Sequence, residues 1–272
     1  MQGHLRQLAL LAASLVIGLA IVPPSPAGVL DQGDHSGEDH SFENHRGEVL
    51  DNIILSNANL ESIDMRDTSL RDATMISAYL LNAVLRNVDL TRADLTNAIL
   101  IFAALQEANL TDAVFTGADL TGANLVDAEA LNAIFSGATL TNTVLRDVDF
   151  TGANFVNATM IDADLRGATL VDADLSGSDI SGSNLKDANL AGASLLGTDL
   201  SGVLYDADTD FSGAFYDANT IFDPFFDTTS LVFVPEPSTA ALLALGLTAF
   251  ALRRSILRPA PRIRGLQSGR GR

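Results

Sequence analysis

Three histidines and three glutamates near the start of the chain are the residues best suited to chemistry. The histidines are spaced five residues apart, and a glutamate follows each of them by three residues. They are His35, His40 and His45, with Glu38, Glu43 and Glu48. Imidazole is the commonest protein ligand for transition metals, so a single layer of these side chains could bind a divalent metal ion. The favoured interpretation is a polar cap that protects the end of a longer structure, and the metal site is the alternative.

Four aspartates near residue 210 have the spacing of a calcium-binding loop. Asp206, Asp208, Asp210 and Asp217 match positions 1, 3, 5 and 12 of such a loop. Phe211 stands where the loop needs Gly. Exposed aspartates without an ion are therefore the favoured interpretation.

The composition argues against most catalytic chemistry. The chain has no Cys, which excludes a disulfide scaffold, a thiol nucleophile and a zinc–thiolate site. Residues 50–205 contain no His, so a Ser-His-Asp arrangement is not available there. We predict a protein that is not an enzyme and that has no cofactor other than the divalent metal ion considered above.

A five-residue repeat is the element that would position these side chains. From Leu55 to Tyr205 every fifth residue is apolar, and 21 of these 31 centre positions are Leu. The residue two places before the centre is Ala in 21 units, and Gly, Asn or Asp commonly follows two places after it. These last three residue types tolerate tight turns. The three histidines occupy centre positions in the same register.

A period of five predicts a chain that turns once per unit. Helices repeat near 3.6 residues and strands repeat at about 2, so neither fits. Four turns close a square coil of 20 residues, and such coils stack about 4.8 Å apart. Phe115, Phe135 and Phe155 would then share one column, and Phe150 would lie over the undersized centre Ala130.

Charged residues show the same spacing of 20. One column holds five of the seven basic residues between positions 51 and 230, and an acidic corner column runs beside it. The basic residues of this column are Arg66, Arg86, Arg146, Arg166 and Lys186. The same range holds 27 acidic residues, which gives a net charge of −20.

The Ala-(Asp/Asn)-Leu-x-x signature of residues 34 to about 222 resembles the pentapeptide-repeat family. The resemblance implies an all-β fold, a right-handed quadrilateral β-helix with four pentapeptides per coil. We expect nearly nine coils and a length of about 40 Å. A fold of this kind hosts unrelated functions, so it does not define the activity.

The first 27 residues have the features of a signal peptide. Arg6 precedes an apolar run from Leu8 to Val22, and small residues flank the proline of Ser25-Pro26-Ala27. We predict cleavage after Ala27 by signal peptidase. An uncleaved membrane anchor is the alternative, although the run is short for a membrane span.

The C-terminal region carries a second targeting signal. Pro235, Glu236 and Pro237 precede an apolar stretch from Ala240 to Leu252, and two arginines follow it. This order resembles the PEP-CTERM sorting tail, which exosortase enzymes recognise in Gram-negative bacteria that make extracellular polysaccharide. The resemblance implies a transient inner-membrane anchor that is cut near the three-residue motif.

These features divide the chain into six segments. They are a signal peptide (1–27), His- and Glu-bearing repeats or a cap (28–49), the β-helix (50–222), a terminal cap or linker (223–233) whose aromatic residues cover the open end, a sorting segment (234–254) and a basic tail (255–272).

The predicted function is that of an exported, non-enzymatic protein sorted to the cell surface or extracellular matrix. It would have a structural or interaction role, with extracellular polysaccharide or surface proteins as partners. The alternative is an acidic DNA-mimic rod that regulates a nucleic-acid enzyme. Export would separate such a rod from cytoplasmic partners, so a nucleic-acid role is disfavoured.

Overall fold

The computed structural model describes residues 30–235, and this part of the chain folds as a stack of square coils. Each unit contributes one residue to a parallel ladder, and its partner lies 20 residues further along the chain. The ladder begins at the Asp34–Ile54 bridge and keeps this spacing as far as Asn184–Leu204. The predicted right-handed quadrilateral β-helix with four units per coil is therefore confirmed.

Single bridges make up most of this ladder. Two short strands occur near its end, β1 (Phe215–Tyr216) and β2 (Val232–Phe233), and they pair in parallel. Residues 30–235 contain no helix. The fold therefore depends on bonds between successive coils and not on long continuous strands.

Each regular corner is a β-turn whose third residue has a left-handed conformation. In the unit that begins at Leu55, the N–H of Ala58 donates to the Leu55 carbonyl over 3.1 Å, and Asn57 between them has a φ of 57°. A positive φ at this place is typical of a type II turn, and Asn and Gly adopt it at little cost. Phe102 and Arg92 adopt it too, with φ values of 57° and 60°. The ladder thus holds the turn even where the residue disfavours it.

Where Asp or Asn precedes the centre, its side chain orients the backbone that enters the corner. Asp119 Oδ1 accepts a hydrogen bond from the backbone N–H of Thr121 over 2.9 Å. Asn124 Oδ1 accepts one from Val126 over 3.1 Å. Such Asx turns recur along the stack and favour the local turn over other conformations. They explain why Asp or Asn precedes Leu in the repeat signature.

Apolar centre residues and small residues fill the interior of the coils. Phe115, Phe135 and Phe155 stack face to face, with ring centroids 4.9 and 5.0 Å apart. Phe150 is fully buried and meets Phe135 and Phe155 edge-on. The Glu129–Asp149 bridge places Phe150 in the layer next to Ala130. Both predicted columns are therefore confirmed.

The register of the ladder slips twice near its C-terminal end. The bridged residues are 21 apart at Asn189–Asp210 and 22 apart at Asp199–Ile221. The extra residues lie in two corners with related sequences, Asp-Ala-Asp-Thr at 206–209 and Asp-Ala-Asn-Thr at 217–220. In both corners the Thr hydroxyl donates to a carbonyl of the preceding coil. The Asp carboxylate accepts from the backbone N–H two residues later.

The ladder continues beyond the predicted end at residue 222. Pairing of β2 with β1 adds a further rung, and the N–H of Val234 donates to the Tyr216 carbonyl over 2.7 Å. This extension could not be read from the repeat because residues 223–234 lack the five-residue pattern.

Aromatic side chains gather at this end of the stack. Phe226 packs against Tyr205, Phe211 and Phe222, with ring centroids 4.8, 5.2 and 4.7 Å apart. Its neighbour Phe225 is 95% exposed. Phe226 thus contributes to the aromatic cluster at this end, whereas Phe225 points to solvent.

Replacing Phe135 by Ala should lower the free energy of unfolding by about 3–5 kcal/mol, since the cavity would interrupt contacts to three other rings. Urea denaturation followed by circular dichroism measures this loss. Thr139→Ala, on an outer face of the same coil, is the control and should change stability by no more than about 0.5 kcal/mol. Equal losses in the two variants would contradict the packing of the phenylalanine column.

Candidate functional site

The first coil carries polar side chains at positions that are apolar in later coils. The backbone N–H groups of His35 and His40 donate to the carbonyls of Ile54 and Asn59 over 2.8 Å, and His45 makes the equivalent bond. The ladder thus holds the histidines in the centre register. Their side chains are turned inward, and the three residues are only 8%, 4% and 3% exposed.

Imidazoles and carboxylates alternate inside this coil. Glu38 Oε2 lies 2.9 Å from Nδ1 of His35 and 3.1 Å from Nε2 of His40. Glu43 Oε2 lies 2.9 Å from Nδ1 of His40 and 2.9 Å from Nε2 of His45. Each glutamate therefore joins two histidines.

Two further carboxylates close the ends of this chain of hydrogen bonds. Asp31 Oδ1 lies 3.2 Å from Nε2 of His35, and Glu48 Oε2 lies 3.2 Å from Nδ1 of His45. Every ring nitrogen of the three histidines consequently faces a carboxylate oxygen. We call the seven residues from Asp31 to Glu48 that form this chain the His–carboxylate chain.

The charges of the chain are strongly coupled. Burial alone would lower the pKa of His35, but the hydrogen bonds to Glu38 and Asp31 outweigh it and raise this pKa above its ordinary value. The bond from His35 holds the pKa of Glu38 below its usual range. Burial would raise the pKa of Glu43, but the bonds from its two histidines outweigh that effect and lower it. The site therefore favours ionised carboxylates beside positive charge.

Three of these side chains bring ligand atoms close together. A ring nitrogen from each of His35 and His40 and a carboxylate oxygen of Glu38 lie within 4.8 Å of one another. His45 is not part of this group, because it lies one step further along the His–carboxylate chain. The structure thus gathers two of the three histidines predicted as metal ligands.

The four aspartates that have the spacing of a calcium-binding loop do not come together at one site. Asp206 and Asp208 approach Asp187, with oxygen atoms within 4.8 Å, but all three residues are exposed. Asp217 instead accepts a hydrogen bond from the N–H of Gly197 over 3.0 Å. Asp206 and Asp217 have the spacing of a calcium-binding loop because each is the first residue of one of the two wide corners.

Arginines of the basic column pair with aspartates on the adjoining face. Arg66 bonds to Asp64, and Arg166 makes two bonds of 2.7 Å to Asp164. Arg146 Nε lies 3.6 Å from Asp164 Oδ2. The negative surface of the coil stack is therefore locally neutralised along this column.

The residues predicted for processing lie at or beyond the ends of the described structure. Pro235 is its last residue, while Ala27, Glu236 and Pro237 lie outside it. The compact unit that contains the ladder ends at Val234. Within residues 30–235 no helix is long and apolar enough to span a bilayer.

Comparison with family models defines the class of the protein. A model described as pentapeptide repeats matches eight copies, over residues 53–92, 89–127, 133–172 and 169–204. The chain therefore belongs to the pentapeptide-repeat family, whose members are generally structural or interaction proteins and not enzymes. A second model, the PEP-CTERM protein-sorting motif, matches residues 233–255. This motif supports an exported protein with a transient C-terminal membrane anchor and processing by exosortase.

Several solved structures are similar to this chain. HetL, a pentapeptide repeat protein involved in heterocyst differentiation regulation from the cyanobacterium Nostoc sp. strain PCC 7120, is 26% identical, with a TM-score of 0.38 over 70% of this chain and 92% of its own. Rfr23 from the cyanobacterium Cyanothece 51142 is 35% identical, with a TM-score of 0.34 over 35% of this chain and 64% of its own. QnrB1, a plasmid-mediated fluoroquinolone resistance protein, is 18% identical, with a TM-score of 0.33 over 79% of this chain and 97% of its own. No curated protein matches the sequence.

Replacing Glu43 by Ala should loosen the first coil and leave the rest of the stack intact. The change removes the acceptor of two buried imidazole N–H groups, and each unsatisfied donor costs about 1–3 kcal/mol. We expect faster amide hydrogen exchange at His40 and His45 and unchanged exchange at Phe135. Glu48→Ala is the control, because Glu48 contacts one histidine and its side chain is 42% exposed. A larger effect at Glu48 than at Glu43 would contradict this description of the chain.

Proposed function

We propose that this protein is an exported, non-enzymatic rod that exosortase sorts to the cell surface or extracellular matrix, where it has a structural or interaction role. The observation that carries the proposal is the PEP-CTERM motif at residues 233–255, which begins within β2. Cutting near Pro235, Glu236 and Pro237 would leave the whole ladder on the released side, because the last rung forms at Val234. The product would then be a complete stack of coils.

The filled interior supports a surface role. Small-molecule sites are usually concave clefts lined by a few convergent polar groups. The centre residues from Leu55 to Leu200 are buried against the neighbouring layers, so the inside of the stack is occupied by side chains. Contacts with a partner would therefore be made on the outer faces.

The outer faces present repeated hydroxyl and carboxylate groups. The hydroxyls of Thr121 and Thr151 each donate to the aspartate two residues earlier over 2.6 Å, and Ser201 makes the same contact. Similar pairs occur at several corners along the stack. Repeated weak polar contacts suit hydrated polysaccharide or surface proteins, because many weak contacts made together give a useful overall affinity.

The surface and the sorting motif both disfavour the DNA-mimic alternative. Export would remove the rod from the compartment of nucleic-acid enzymes. The basic column also interrupts the negative surface that a phosphate mimic needs, since Arg66, Arg146 and Arg166 lie beside its aspartates.

Intact-mass measurement of the protein from cells and medium tests the proposed sorting. In a host with exosortase we expect a species that lacks residues 1–27 and the residues beyond about 235, because both signals would be cut during export. This species should be recovered with the surface or matrix fraction. Deleting the exosortase gene should leave the C-terminal tail attached and keep the protein in the inner membrane.

A triple replacement of Pro235, Glu236 and Pro237 by Ala is the matched control for that experiment. It alters the motif and leaves the ladder through Val234 unchanged, so the coil stack should fold as before while the tail is retained. A full-length soluble cytoplasmic species from the unmodified gene would contradict the proposal.

A further inference from the structure

We propose that the first coil binds one Zn²⁺-like divalent metal ion through Nδ1 of His35, Nε2 of His40 and the carboxylate of Glu38. This site is separate from the sorting signals and from the outer faces. The inference therefore does not depend on the proposed function.

The distances from Glu38 to the two histidine nitrogens are slightly shorter than the distances between ligand atoms in a zinc site. Zinc bonds to imidazole nitrogen and carboxylate oxygen are roughly 2.0–2.2 Å long, so neighbouring ligand atoms of a tetrahedral site lie about 3.3 Å apart. Glu38 Oε2 lies 2.9 Å from His35 Nδ1 and 3.1 Å from His40 Nε2. The side chain of Glu38 is 30% exposed and has room to move outward. The two imidazole nitrogens lie within 4.8 Å of each other, so binding would combine this outward shift of Glu38 with an adjustment of the two rings.

The surroundings already hold both imidazoles in the orientation that a metal needs. Metal-binding histidines usually donate their second ring N–H to a carboxylate, which fixes the ring and its tautomer. Asp31 lies 3.2 Å from Nε2 of His35, and Glu43 lies 2.9 Å from Nδ1 of His40. Each proposed ligand nitrogen is thus backed by a carboxylate on the far side of its ring.

The ion would take the place of the protons that now join these side chains. A nitrogen that binds a metal must offer a lone pair, so Nδ1 of His35 and Nε2 of His40 must both be without a proton in the metal-bound state. Those two lone pairs and the carboxylate of Glu38 then face one another across the hydrogen-bond distances seen in the structure. A divalent ion between these three atoms would make three favourable bonds in place of the hydrogen bonds.

The donor set also indicates which metals would bind. Two imidazoles and one carboxylate suit Zn²⁺, Co²⁺, Ni²⁺ and Cu²⁺ better than Ca²⁺ or Mg²⁺, which prefer oxygen ligands. Three protein ligands leave a fourth position for water or an outside group. His45 would not be a ligand, because its nitrogens face Glu43 and Glu48.

Titration of the full chain with Co²⁺ and Zn²⁺ tests the site directly. The protein should be purified in detergent without a histidine tag, stripped with a chelator and studied at pH 7.5. We expect one Co²⁺ per chain, with the visible absorption of a four- or five-coordinate ion, and displacement of that signal by one equivalent of Zn²⁺. The spectrum of the unmodified protein provides a test that does not depend on the folding of any variant.

Matched variants assign the ligands. His35→Gln, Glu38→Gln and His40→Gln should each abolish stoichiometric binding, and Asp31→Ala should weaken it by about 10–100-fold through loss of ring orientation. His45→Gln and His4→Gln should keep one ion per chain, and His4 is the only other histidine in the sequence. Circular dichroism should show an intact β-helix in every variant that is compared.

Three results would overturn the proposal. The first is no Co²⁺ or Zn²⁺ binding by the unmodified chain. The second is unchanged binding in folded His35→Gln and His40→Gln variants. The third is loss of binding in His45→Gln or His4→Gln, which would place the ion on a different set of ligands.

Discussion

The parallel backbone ladder between residues 20 apart is the interaction on which the rest of the structure depends. In each unit the centre residue donates to the following coil, as the N–H of Leu55 does to the Thr74 carbonyl over 2.7 Å. One position per unit must therefore face inward, and one corner residue must take a left-handed conformation. The repeat signature follows from these requirements. Leu and Ala fill the inside, Asn and Gly allow the corner, and Asp or Asn orients the backbone before it.

Because the ladder sets the backbone, the side chains inside a coil can change without a change of fold. The first coil keeps the register and exchanges Leu and Ala for His and Glu. A terminal layer has no further coil to cover it, so polar side chains there oppose end-to-end stacking. The His–carboxylate chain satisfies the hydrogen-bonding needs of these buried groups, and the same arrangement gives the chain its candidate metal centre. The opposite end is closed differently, by two wide corners and an aromatic cluster around Phe226.

Most of the fold could be predicted from the sequence, because each requirement of the ladder selects residue types that recur every five residues. The stacked column of Phe115, Phe135 and Phe155 and the layer that pairs Ala130 with Phe150 followed from the spacing of 20 alone. The C-terminal boundary was missed because β2 pairs through its backbone and has no repeat pattern. The slip of one residue near Tyr205 is visible in the sequence, because Phe211 and Tyr216 keep the spacing of five in a shifted register.

The candidate site could be predicted only in part. Periodicity placed His35, His40 and His45 inside one coil, but it could not show which carboxylate oxygen each ring nitrogen would face. That pairing depends on side-chain torsions and on the offset of three residues between His and Glu around a corner. It is this offset that lets Glu38 join two histidines and separates His45 from the ligand group.

Amide hydrogen exchange resolved residue by residue is the most direct test of the ladder. In the unit from Leu55 to Asn59, the amides of Leu55, Asn57, Ala58 and Asn59 are all bonded to backbone carbonyls, whereas the first corner residue, Ser56, stands outside this pattern. Across residues 50–200 we predict four slowly exchanging amides and one faster amide in each unit, repeated every five residues. The faster amide lies outside the backbone ladder and bonds only to an Asp or Asn side chain in the units that form an Asx turn. Protection that repeats every second residue or near 3.6 residues, or that shows no period, would contradict the coil stack.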